Sequence, residues 1–129
     1  MLGNRLFVLD GYTLFFHTLF LIIAAAVLLF SADYVRRFLS YPGEFVALIL
    51  LSTLGMMFIA AAGELLTAYI SLELLSFCLY ILASYARDDP KSNEAGLKYV
   101  LLGALATALL LLGVSLVYGY AGSTFYREI

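Results

Sequence analysis

Charged residues are scarce in this sequence, and their scarcity excludes several classes of protein. Asp, Glu, Lys and Arg make up only 12% of the 129 residues, against about a quarter in an ordinary soluble domain. The net charge of −2 is too small and too dispersed to suggest a nucleic-acid partner. A single cysteine, Cys78, excludes an internal disulfide and provides no metal-ligand pattern. We therefore predict no soluble domain, no metal site and no binding of nucleic acid.

Long apolar runs make up most of the sequence instead. The chain is 64% hydrophobic and has a mean hydropathy of +1.03. A membrane-spanning helix needs about 20 apolar residues, so the length allows four spans and little else. The runs do not alternate in polarity, which excludes the strands of a membrane barrel. We predict an all-α integral membrane protein with four transmembrane helices, at about 12–32, 44–62, 65–85 and 94–120.

The basic residues predict how these helices are oriented. With four antiparallel spans, most of the basic residues fall at one membrane face. The positive-inside rule places that face in the cytoplasm and both termini outside. The cytoplasmic set is Arg36, Arg37, Arg87, Lys91 and Lys98, and the opposite set is Arg5 and Arg127.

Glu73 is an acid in the middle of the third apolar run. It lies about 13 Å into the predicted helix at 1.5 Å per residue. A charged carboxylate at the bilayer centre costs about 2.5–3.5 kcal/mol, and such acids are functional by default. Burial favours the neutral acid and a nearby cation favours the carboxylate, so a balanced group can take up and release a proton. We favour this proton-transfer reading of Glu73 over a structural hydrogen bond between helices.

Lys98 opens the fourth apolar run and is the natural partner of Glu73. The two differ in depth by roughly 10 Å, so water or a polar side chain would have to bridge them. Alternatively, the long stem of Lys98 reaches back to the aqueous phase. Ser76 and Tyr80 follow Glu73 on nearly the same helix face and are candidates for the bridge, although either could be ordinary packing.

Other polar residues in the runs have simpler explanations. Glu64 and Glu94 each stand at a predicted helix start, where an acid complements the helix dipole. Ser92 is the expected N-cap of the fourth helix. His17 could relay protons, but we favour an interhelical hydrogen bond. Gly103 begins small-xxx-small spacing, which favours close helix contact.

Three stretches of the sequence carry a family resemblance. ISLELLSFCLYILASY and SNEAGLKYVLLGALATALLLLGVSLVYGYAGST are similar to the antiporter-like membrane subunits of respiratory complex I. Within that group they most resemble subunit N of bacterial NADH:quinone oxidoreductase, which has relatives in chloroplasts and mitochondria. SNEAGLKY is the specific part, because the sister subunits L and M differ there. LDGYTLFFHTLFLIIAAAVLLF resembles the third helix of the same family.

The resemblance implies a proton-translocating membrane subunit whose transport is coupled to quinone reduction. Glu73 matches the glutamate of the family's fifth helix, and Lys98 matches the lysine that opens its sixth. NADH, FMN, iron–sulfur clusters and quinone are expected in partner subunits, with no cofactor in this chain. The expected partners are the lipid bilayer and other membrane subunits of complex I. The expected location is the bacterial inner membrane.

The resemblance also implies that part of the family's fold lies outside this sequence. The family has about fourteen helices in two inverted repeats, and this sequence matches about the third to the sixth. We therefore expect a fragment of the antiporter-like fold. Two other classes stay open, one being a piece of a multisubunit cation/proton antiporter or of a membrane-bound hydrogenase. The other is a structural or assembly membrane protein without transport activity.

Overall fold

The computed structural model describes residues 6–129, and most of these residues are helical. Each of the four helices is long and apolar enough to cross a membrane. The predicted all-α membrane architecture is therefore confirmed. The basic residue Arg5, counted above at the outer face, lies outside the described residues. The helices are α1 (Gly11–Phe38), α2 (Pro42–Ala61), α3 (Leu65–Ala83) and α4 (Pro90–Ala121).

The main helix contacts join neighbours along the chain, α1 to α2, α2 to α3 and α3 to α4. Several of the buried residues are small or polar, including Thr13, Ser52 and Ser71, whereas many leucines on α1 and α4 are exposed. This is the pattern of membrane helices, whose apolar surface faces lipid and whose contacts use small residues. At Gly55, an added Cβ would come within 3.0 Å of the Leu75 backbone nitrogen, so α2 and α3 approach closely there.

Helix α1 extends beyond the predicted span. It continues to Phe38, and its last turn contains Arg36 and Arg37. Basic side chains in the last turn complement the negative end of the helix dipole, which favours this extension. At the other end Asp10 is the N-cap, and its carboxylate accepts a hydrogen bond from the Thr13 backbone N–H at 2.9 Å.

Helix α4 begins earlier than predicted, and the predicted cap at Ser92 is wrong. Asp89 is the N-cap, with its carboxylate accepting from the Lys91 backbone N–H at 2.9 Å. Pro90 follows in the first helical position, where its missing N–H costs nothing. The Ser92 hydroxyl instead donates to the carbonyl of Ala83, at 3.0 Å, at the end of α3.

The loops at one end of the bundle are joined through exposed side chains. Arg87 pairs with Glu44 at 3.0 Å, and its guanidinium carbon lies 5.0 Å from the centre of the Tyr41 ring. The Tyr85 hydroxyl donates to the backbone carbonyl of Tyr41. Following the predicted orientation, we call this the inner end, defined by residues 36–45 and 84–91.

The opposite end of the bundle has three extended segments that pair with one another. The segment before α1 bridges the α2–α3 connection at Phe7 and Ala62, and the segment after α4 bridges it at Glu64 and Phe125. Both bridges are antiparallel. Gly122 makes the second possible, because it turns the chain out of α4 with a φ of 72°, a conformation that favours glycine. We call these segments the outer cap, defined by residues 6–10, 61–65 and 122–126.

Candidate functional site

Glu73 lies within α3, and one of its oxygens has no hydrogen-bond partner in the part of the chain that the structure describes. Its Oε1 atom is buried without a hydrogen bond among residues 6–129, although the side chain as a whole is half-buried. A buried polar atom without a partner is unfavourable by about 1–3 kcal/mol and is rare in folded proteins. In a membrane helix, such a group is a candidate for function rather than for stability.

Lys98 is not brought to Glu73. Its ammonium group pairs with the carboxylate of Glu94, one turn earlier on α4, and both side chains are more than half exposed. This agrees with the expectation that no direct contact joins Glu73 and Lys98. A role for Lys98 in proton transfer stays a prediction.

Tyr80 lies in the contact between α3 and α4. Its ring packs edge-to-face on Tyr99, with 4.8 Å between the ring centres. Its hydroxyl lies so close to Gly103 that a side chain at that position would overlap it. The close approach predicted from the small residues of α4 therefore occurs. Ser76 is half-buried on the same helix, and no hydrogen bond in the described part of the chain joins Ser76 or Tyr80 to Glu73.

His17 forms the interhelical hydrogen bond that its sequence context favoured. Its Nε2 atom lies 2.8 Å from the carbonyl oxygen of Met57 on α2. Because a carbonyl can only accept, Nε2 carries the proton in this contact. The bond ties α1 to α2, while the alternative role of His17 in a proton path stays a prediction.

Glu64 does more than complement the helix dipole, which is the role that its position at a helix start predicts. Its side chain is buried, with 8% exposed. Its two oxygens accept hydrogen bonds from the hydroxyls of Thr67, at 2.8 Å, and Thr124, at 2.9 Å. Burial, and secondarily the charge of Glu64, raises the pKa of Tyr126 above its usual value. The polar residues after α4 are the sequence feature that could have indicated a partner for Glu64. Thr124 lies 60 residues from Glu64, however, so the sequence does not show that the two meet.

Metal-ligating residues do not cluster in the part of the chain that the structure describes. No group of three or more His, Cys, Asp and Glu side chains could hold an ion within residues 6–129. Cys78 is a free, buried thiol.

Comparison with known proteins identifies the family. The sequence pattern of the transmembrane family described as NADH:quinone oxidoreductase/Mrp antiporter matches residues 62–129, just over half of the chain. The chain belongs to this family. The matched region of the antiporter family contains Glu73 and Lys98, together with Glu64 and Thr124.

Individual relatives in the family agree with the resemblance seen in the sequence. The chain is 52% identical over 115 residues to a subunit N of NADH-quinone oxidoreductase from Desulfitobacterium hafniense, covering 89% of this chain and 23% of the relative. It is 54% identical over 121 residues to a subunit N 2 from Symbiobacterium thermophilum, covering 93% and 24%. A Rhodobacter capsulatus subunit N is 48% identical over 124 residues, covering 96% and 26%. The chain thus spans about a quarter of the length of these curated relatives.

Proposed function

We propose that this chain belongs to a proton-translocating, subunit N-like membrane component of NADH:quinone oxidoreductase. Proton movement in it would be coupled to quinone reduction in partner subunits. Glu73 is the observation that carries this proposal, because it is an acid inside a membrane-spanning helix with a buried, unpartnered oxygen among the described residues. Glu73 also lies within the region that matches the NADH:quinone oxidoreductase/Mrp antiporter family, which supports the same proposal.

In this proposal Glu73 is the group that holds and releases the proton. Ser76 and Tyr80 follow it toward the inner end of α3 and offer hydroxyls that can pass a proton. Lys98 and Glu94 form an exposed pair closer to that end, where they influence the local potential.

The proposal also specifies the cofactors, the partner subunits and the membrane around this chain. NADH, FMN, iron–sulfur clusters and quinone would be bound by partner subunits, as the family resemblance implies. The partners would be other membrane subunits of the complex and the lipid bilayer. The location would be a bacterial inner membrane, with Arg36, Arg37 and Arg87 at the cytoplasmic face.

A second candidate is a subunit of a cation/proton antiporter. It is supported by the name of the matching family, which covers Mrp antiporters as well as the oxidoreductase. The named relatives given above are all oxidoreductase subunits, so we favour the first proposal. Transport measured with NADH as the only energy source separates the two, since an antiporter alone would need an existing ion gradient.

The test replaces Glu73 by Gln in the subunit as the cell makes it. The amide keeps the size of the side chain but cannot exchange a proton, so we expect NADH-driven proton pumping to fall by an order of magnitude or more. Pumping is measured in inside-out membrane vesicles with a pH-sensitive dye. The amount of assembled complex is measured in the same membranes and should not change.

Glu44→Gln is the matched control, because Glu44 is an exposed acid at the inner end that pairs with Arg87. We expect normal pumping from that variant. Normal pumping and assembly in Glu73→Gln would instead show that the acid has no part in proton transfer.

A further inference from the structure

The carboxylate of Glu64 joins two parts of the chain that are far apart in sequence. Thr67, which donates to one oxygen at 2.8 Å, belongs to the first turn of α3. Thr124, which donates to the other at 2.9 Å, belongs to the segment after α4. With 8% of Glu64 exposed, both hydrogen bonds are largely shielded from water. Hydrogen bonds to a charged group in such a place are among the stronger ones in proteins.

Backbone hydrogen bonds surround this carboxylate and hold the same two segments. The Leu65 N–H donates to the carbonyl of Thr124 at 2.9 Å, and the Tyr126 N–H donates to the carbonyl of Gly63 at 3.3 Å. Residues 63–65 at the start of α3 thus pair with residues 124–126 after α4. Loss of the Thr124 hydroxyl would leave one oxygen of the buried Glu64 side chain without this donor and would weaken the pairing of the two segments.

Helix α3 connects this contact to Glu73. Glu64 precedes α3 and Glu73 lies nine residues later, about 13 Å along the axis. A helix transmits a shift or rotation of its end along its length because its own hydrogen bonds keep it rigid. The depth and direction of Glu73 therefore depend on how the start of α3 is held.

We propose that Glu64 is a positioning residue whose carboxylate latches the segment after α4 onto the start of α3. The latch sets the depth and rotation of α3, and so the surroundings in which Glu73 exchanges its proton. The role assigned to Glu73 rests on the proposed function, but the latch itself does not. Glu64 is not a proton carrier in this proposal, since both of its oxygens are already bonded.

The test uses Thr124→Val, which keeps the shape of the side chain and removes the hydroxyl, with Thr124→Ser as the matched control. Both are made in the subunit as the cell makes it, and the assembled complex is purified. Hydrogen exchange is then measured by mass spectrometry on peptides covering residues 61–67 and 123–127. Loss of a charge-assisted bond should increase exchange there about tenfold in the valine variant, with near-normal exchange in the serine variant.

A second measurement distinguishes a latch that positions α3 from one that only stabilises the fold. NADH-driven pumping is recorded against pH, per assembled complex, for the same two variants. If α3 moves, Glu73 enters different surroundings and the pH at half-maximal pumping shifts in Thr124→Val and returns in Thr124→Ser. A purely structural role would lower the amount of complex without shifting that profile. Unchanged exchange overturns the latch, and faster exchange with an unshifted profile overturns the positioning role.

Glu64→Gln provides a variant that does not depend on Thr124. The amide oxygen can still accept from one threonine, so folding is less at risk, while the charge is lost. We expect faster exchange in the same two peptides and a shifted pumping profile, and wild-type behaviour in both would overturn the proposal. If Glu73→Gln pumps normally, the proposed function fails by itself, while the exchange measurement still decides the latch.

Discussion

The two ends of the helix bundle are closed in different ways. At the outer cap the carboxylate of Glu64 is buried, with 8% exposed, and so is Thr13, which bonds to the cap from the first turn of α1, with 2% exposed. At the inner end Arg87 and Glu44 form an ion pair, and 64% and 56% of their side chains are exposed. An exposed ion pair is worth about 0–1 kcal/mol, whereas unpairing a buried polar group costs about 1–3 kcal/mol. The outer end should therefore be the more firmly held.

The difference follows from the backbone at each end. The outer cap contains three extended segments that pair with one another through backbone hydrogen bonds, and the Val8 carbonyl also accepts from the Thr13 hydroxyl. The inner end has short loops, and one helix start there is satisfied by the local cap at Asp89. The helix that carries Glu73 thus has one firmly held end and one more loosely held end. This comparison predicts the size of several substitution effects.

The largest effect on stability is expected at Thr13, in the first turn of α1, where it bonds to the outer cap. Its hydroxyl lies 2.9 Å from the carbonyl of Val8 and 3.3 Å from that of Ala60. Thr13→Val keeps the volume and leaves two partly buried carbonyl groups without this donor, so we expect a loss of about 1–3 kcal/mol in the free energy of unfolding. Thermal denaturation of the detergent-solubilised subunit measures it.

Thr18→Val is the control for this substitution, because Thr18 is on the same helix and its exposed hydroxyl donates to the Leu14 carbonyl one turn earlier. It should change stability by a few tenths of a kcal/mol. Equal effects of Thr13→Val and Thr18→Val would show that contacts at the outer cap are no stronger than those on the lipid-facing surface.

A smaller effect is expected at the inner end. Arg87→Ala removes the pair with Glu44 and the contact with the Tyr41 ring, and it should cost less than about 1 kcal/mol. A double-mutant cycle with Glu44→Ala gives the coupling between the two charges, which should shrink in high salt. A coupling as large as the Thr13→Val effect would show that the two ends are equally firm.

The smallest effect concerns Asp10 and depends on pH. The backbone N–H of Thr13 donates to this exposed carboxylate and lowers its pKa. Because the folded-state value is the lower one, the contribution of Asp10 to folding is present above the unfolded value of about 3.9. It is lost as the pH falls through the folded-state value. Hydrogen exchange in the first turn of α1 should therefore accelerate modestly in acid.

Two replacements check that Asp10 causes this dependence. Asp10→Asn keeps a good N-cap without a titrating group, so exchange in the first turn should lose that part of its pH dependence. Asp10→Ala removes the cap, so exchange should be faster at all pH values. An unchanged acid dependence in the asparagine variant would assign the effect to another group.

Local properties of the sequence determined the helical architecture and the main candidate residue. A span depends only on about 20 consecutive apolar residues, and the insertion cost of Glu73 depends only on its place within such a run. Charged and helix-breaking residues mark the connections between the helices. Two helix ends differ from the predicted ones, because α1 continues through the basic residues at 36 and 37 and α4 already begins at Pro90. The family resemblance in residues 70–85 and 92–124 was equally local.

Only the tertiary structure decided which polar groups meet. The four helices are mainly apolar, so the sequence does not specify how each one is rotated about its axis. That rotation places Tyr80 against Gly103 and leaves one oxygen of Glu73 unpartnered among the described residues. The pairing of Glu64 with Thr124 joins residues 60 positions apart, and no local pattern contains that information. It arises because packing of consecutive helices returns the chain to the same membrane face, where extended backbone must find partners.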